Sequence, residues 1–105
     1  MSTLTKLIDD YRAIQAAYRA INEEDPRNAE LWQAYEAADY AIQKHPCISL
    51  EEVREKVAFL LDDDMAFDSV ESCYGPGGEP MLAVLLRSLL GQEPVEKSNN
   101  GGKAA

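Results

Sequence analysis

Basic residues and cysteines are few in this 105-residue chain, and each shortage removes a class of function. Ten Lys and Arg stand against 19 Asp and Glu, giving a net charge of −9 and an isoelectric point near 4.4. Sequence-independent attachment to a phosphate backbone needs clustered Lys and Arg, so direct nucleic-acid binding is not expected. No stretch approaches about 18 uninterrupted apolar residues, so no membrane span is expected. The first residues are charged and amphipathic and lack the apolar centre of a secretory leader. The expected compartment is therefore the cytoplasm, where thiols stay reduced. Two cysteines, Cys47 and Cys73, occur without a Cys-x-x-Cys pair. With His45 they make three soft ligands, short of the four a structural zinc site uses, and neither metal nor other cofactor is expected.

The motifs that remain fail on inspection. An EF-hand loop begun at Asp62 would place Phe67 at the sixth position and Cys73 at the twelfth, where glycine and a bidentate glutamate are required. Gly75-Pro76-Gly77-Gly78 is followed by Glu79 and by no Lys-Ser/Thr pair, which puts negative charge where a phosphate would sit. Gly101-Gly102-Lys103 lies far from any strand. His45 and Cys47 are two residues apart across Pro46, poorly set to meet as base and nucleophile, and a cation at His45 suits the end of a helix. Carboxylate pairs are so numerous that no one of them marks acid–base chemistry. Tyr11, Tyr18 and Tyr35 fall on apolar stripes and read as core, whereas Trp32 and Tyr40 lie off the main seam. No catalytic residue is assigned.

What the chain does have is helical periodicity. Leu4, Leu7, Tyr11, Ile14, Tyr18 and Ile21 recur at spacings of three and four, with Gln15 among the residues of the opposite, solvated face. This first helix, capped by Ser2 or Thr3, should stop between Asn22 and Asp25, ahead of Pro26. Asp25-Pro26 reads as a cap with proline at the first helical position, and Leu31, Tyr35, Ala38 and Ile42 continue the rhythm to His45-Pro46. A short connection makes the two helices antiparallel. Ser49-Leu50-Glu51-Glu52 is a capping box, in which the Glu52 carboxylate would return to the Ser49 amide. The third helix then carries Leu50, Val53, Val57, Leu60 and Leu61 on its apolar face. From Asp62 to Pro80 the pattern breaks, with room for one short helical turn over 64–72. The last helix, Met81 to Leu90, has eight apolar residues in ten and Gly91 just beyond it, where a terminating glycine belongs. A helix apolar on most sides is central to its bundle or half-buried in a partner.

The charge is unevenly spread. Residues 62–80 hold six acids, Asp62, Asp63, Asp64, Asp68, Glu71 and Glu79, and no basic residue, whereas the helices are close to balanced. Beside the apolar last helix, this segment is the expected partner-binding surface, with Met81, Leu82 and Leu85 its apolar half.

The order of a Tyr-Arg-Ala heptad helix, Leu-Trp-Gln-Ala-Tyr-Glu-Ala-Ala-Asp, His-Pro-Cys-Ile-Ser-Leu-Glu-Glu-Val-Arg-Glu-Lys-Val and Leu-Leu-Arg-Ser-Leu-Leu-Gly resembles small all-helical proteins of alphaproteobacterial genomes, often in mobile or prophage regions. The resemblance spans residues 4 to 91 and brings no activity and no functional residues. It implies a bacterial, cytoplasmic accessory protein.

The expected fold is all-α: a four-helix up-down bundle built on a long antiparallel hairpin. It would form a single domain over residues 1–91, with an irregular acidic loop before the last helix and a flexible polar tail over 92–105. The expected function is non-enzymatic: a protein-interaction module that binds another protein, one with a basic surface, or associates with itself as a homodimer. The alternative is a phage-type inhibitor, of anti-CRISPR or anti-restriction style, presenting acids to a nucleic-acid-binding enzyme.

Overall fold

A computed structural model describes residues 2–94, so most of the expected tail lies outside the described residues. Those described form five α-helices: α1 (Thr3–Arg19), α2 (Asn28–Lys44), α3 (Leu50–Asp62), α4 (Asp64–Ser72) and α5 (Met81–Leu89). The all-helical expectation holds, but the count of four does not. The fifth helix, α4, occupies most of the segment expected as an irregular acidic loop. Asp63 makes it possible, since its side chain accepts the Ala66 amide and so supplies an N-cap. The described residues divide into two compact units that meet in the chain between Ile42 and Gln43.

In the first unit, α1 begins at the Ser2 cap, whose hydroxyl accepts the Thr5 amide. It ends at Arg19, earlier than expected, because Asn22 folds its side chain onto the Glu24 amide in a local turn. Asp25 does the same with the Arg27 amide and also binds the Arg27 guanidinium, so α2 starts at Asn28 and not at Pro26. The Tyr11 and Tyr35 rings lie 5.1 Å apart and those of Tyr18 and Trp32 5.4 Å apart. Ring partners therefore fall in number on α2 as they rise on α1, and the hairpin is antiparallel. The buried positions of α1 are Leu4, Ile8, Tyr11 and Gln15. Gln15, expected in solvent, is drawn inward because its Nε2 donates to the Tyr35 hydroxyl at 2.8 Å, which also accepts from Tyr11.

In the second unit, α4 packs against both α3 and α5. Ser49 caps α3 through the Glu52 amide. The Glu52 carboxylate returns to the Ile48 amide, one residue earlier than the capping-box expectation. The buried face of α3 is Glu52, Lys56, Phe59 and Leu60, rotated from the apolar stripe read from the sequence. Leu50, Val57 and Leu61 are exposed, and Val57 at 38% is no core residue. Between α4 and α5 the chain reverses: Met81 donates to the Cys73 carbonyl, Gly75 to that of Glu79, and Gly78 takes a positive φ of 89°. Gly91 (φ +78°) closes α5 as expected. The Gln92 amide reaches the Arg87 carbonyl and the Gly91 amide that of Ser88, the two bonds of a Schellman turn.

The rotation of α3 gives a direct test. Phe59→Ala should lower the unfolding free energy by about 3–5 kcal/mol, as deletion of a buried aromatic does. Val57→Ala should change it by less than about 1 kcal/mol. Urea denaturation of the two variants beside the parent chain measures the difference, and equal losses would refute the assigned face.

Candidate functional site

Among the described residues, a dense cluster of polar groups is buried beneath α3. The helix register places Lys56 inward with no exposed surface, and its ammonium has three donors to satisfy. They go to the His45 carbonyl at 2.6 Å, the Ser88 hydroxyl of α5 at 2.9 Å and the Gln43 carbonyl at 3.3 Å. Gln43 and His45 stand at the end of α2, where helix geometry leaves carbonyls without intrahelical donors. Lys56 is thus a C-cap supplied from another helix. The Cys47 amide adds a bond to the Ser88 carbonyl at 2.9 Å, and the Ser88 hydroxyl donates to the Leu85 carbonyl of its own helix at 2.6 Å. A side-chain carbon on Gly91 would lie 3.3 Å from the Cys47 carbonyl oxygen, so the α5 terminus fits closely against this strip.

Burial draws the Lys56 ammonium down from 10.5 to about 8, opposed in part by electrostatic interaction with Cys47 and Glu52. Burial likewise pushes the Cys47 thiol up, although Lys56 acts the other way. Glu52 Oε2 stands 3.5 Å from His45 Nε2. Lys56, Ser88, Cys47, His45 and Glu52 together resemble a catalytic constellation in composition. Lys56 and Ser88 are fully covered, however, and a nucleophile must reach its substrate. The cluster binds the chain end of α2 to α3 and α5. Among the described residues no group of His, Cys, Asp and Glu side chains is set to hold a metal ion, and no helix is long and apolar enough to cross a membrane.

The expected partner-binding residues separate into two sets. Glu79 is buried and accepts from Arg87 Nε at 2.7 Å, so its charge is used inside the unit. Asp63 is the α4 cap, and Met81 and Leu85 face inward. Asp62, Asp64, Asp68, Glu71 and Leu82 are exposed. Sequence reading missed the rest of the apolar surface. Leu82, Leu86 and Leu90, one helical turn apart, are 49%, 53% and 74% exposed. The spacing of four was visible in the sequence. What hid the row was the buried stripe Met81, Val84, Leu85 and Ser88 on the opposite side, which leaves nearly the whole helix apolar.

Lys56 also makes stability depend on pH in a stated direction. Below about pH 8 folded and unfolded chains both carry the ammonium; between about 8 and 10.5 the unfolded chain holds a proton that the folded chain has released. Stability contributed by this group therefore rises with pH across that window, by on the order of 2–3 kcal/mol. Because the raised Cys47 thiol acts in the opposite sense, denaturation midpoints from pH 7 to 10 should rise more, or fall less, in the parent chain than in Lys56→Met. An unchanged slope in the variant would show that Lys56 titrates normally.

No protein-family model, curated protein or solved structure matches this chain.

Proposed function

We propose that the protein is a helical interaction module that acts by binding another protein, without catalysis of its own, and that the leucine row of α5 is its contact surface. The observation that carries this reading is the exposure of Leu82, Leu86 and Leu90 along one face. Covering a leucine of this kind is worth roughly 1.5–3 kcal/mol when burial is complete. Three aligned on a short helix make an anchor set of the kind helix-in-groove recognition uses. No charge interrupts the row, because Arg87, the one basic residue of α5, is paired with Glu79.

Self-association is the weaker form of the reading, since two copies would each bring a net charge of −9. The phage-type inhibitor rests on small size, acidity and the resemblance to proteins of mobile regions. Asp64, Asp68 and Glu71 share one helical face, but the rise from Asp64 to Glu71 is only about 10 Å, a short track beside the phosphates of a duplex.

Placing a photoreactive amino acid at position 86 tests the proposal in cells. A discrete cross-linked partner should form from position 86, be absent from the exposed position Ala37 on α2, and disappear when Leu82 and Leu90 are changed to Ser. The same adduct from both positions, or none from position 86, would sink the reading. A band at twice the chain mass would replace the outside partner with a second copy.

A further inference from the structure

We infer that the occupant of this surface is a cationic amphipathic helix, its apolar side on the α5 leucines and its Lys or Arg side toward the carboxylates of α4. The inference rests on the interaction reading above and gives the partner its chemistry.

It starts from charge that the fold leaves uncompensated. Once Asp63 is assigned to its cap and Glu79 to Arg87, the segment 62–80 still exposes Asp62, Asp64, Asp68 and Glu71. None of the four enters an ion pair among the described residues, and the segment has no basic residue. Two of them stand where helix electrostatics disfavours them. Asp62 is in the last turn of α3 and Glu71 in the last turn of α4, neither turn holding a basic side chain. The carbonyl end of a helix is negative, and an acid there is unfavourable by a few tenths to about 1 kcal/mol. Asp64–Asp68 and Asp68–Glu71 are like-charged neighbours at four and three residues, each pair a further few tenths against folding. The dipole favours Asp64 in the first turn of α4, but the like-charged spacing and Glu71 leave the α4 face a concentrated negative field that no ion pair among the described residues neutralises.

Apolar surface is interleaved with that field. Phe67, three residues after Asp64 and four before Glu71, is 44% exposed, an aromatic fenced by carboxylates. Pairing of Cys73 with Met81 and of Tyr74 with Pro80 brings the end of α4, with Glu71, to the start of α5, where the leucine row begins at Leu82. An uncharged apolar helix would leave the carboxylates unanswered, and a second copy would double the repulsion. A helix with Leu on one side and Lys or Arg on the other answers both halves.

The probe is a leucine–lysine amphipathic peptide of about four helical turns, titrated into the full chain by calorimetry. Peptides with the lysines replaced by glutamine or by glutamate serve as controls. The leucine–lysine peptide should bind at least about tenfold more tightly than the glutamine version and weaken as salt is raised. Asp64→Asn/Asp68→Asn/Glu71→Gln should abolish that advantage. Asp9→Asn/Glu23→Gln/Glu24→Gln, which removes equal charge from the first unit, should leave it intact. Leu86→Ser should weaken all peptides alike. Equal binding of the glutamine and lysine peptides would overturn the cationic assignment while leaving the leucine row as a docking surface. Equal losses from the two charge-removing variants would reduce the attraction to bulk acidity and overturn it as well. Binding untouched by Leu86→Ser would remove the leucine row, and with it the interaction reading.

Discussion

The second unit is organised around one ammonium group. Lys56 is buried at the point where α2 ends, where α3 crosses and where α5 presents Ser88, and its three donors all find oxygen acceptors there. Removing a lysine from water is costly, and the lowered proton affinity of this one records that cost. The arrangement holds because the acceptors include helix-end carbonyls that would otherwise need water. Chain direction follows from the same contact: the turn after α2 is held down, the Cys47 amide meets the Ser88 carbonyl, and α3 starts from the Ser49 cap in the register that keeps Lys56 inside.

That register explains what the sequence concealed. Elements whose signals are local were legible. The Ser49 cap, the Gly91 terminus and the antiparallel first hairpin follow from residues within a few positions of one another, whereas α4 runs through a segment whose pattern reads as irregular. The faces that helices bury were less legible, because apolar periodicity assumes that apolar residues turn inward. On α3 the inward positions are Glu52, Lys56, Phe59 and Leu60, while Leu50, Val57 and Leu61 face out. Nothing in a single sequence announces that a lysine will find three acceptors supplied by α2, the turn after it and α5. The Gln15–Tyr35 bond misleads in the same way on a smaller scale, drawing an amide into a position that polarity assigns to solvent.

The acidic segment was legible as composition and illegible as geometry. Six carboxylates in one stretch suggested a single patch. Folding sorts them by task, since Asp63 begins a helix and Glu79 neutralises Arg87. The candidate surface is therefore smaller and more sharply defined than the sequence implied. Its apolar half lies not at Met81 and Leu85, which are core, but along Leu82, Leu86 and Leu90, which helical periodicity alone does not separate from the buried stripe beside them.

An inside that holds charge and an outside that holds leucine are linked in this unit. Each α3 position given to Glu52 or Lys56 is one that an apolar side chain does not fill, and the displaced leucines stand in water. The unit consequently gains less from burial than its apolar residues would allow. It also keeps unfavourable acids at two helix ends. A partner that covers the leucines and answers the acids adds free energy to the folded state alone, in proportion to the logarithm of its concentration over Kd. On the interaction reading, folding and binding draw on the same surface, and the stability missing from the isolated chain is the part that a complex supplies.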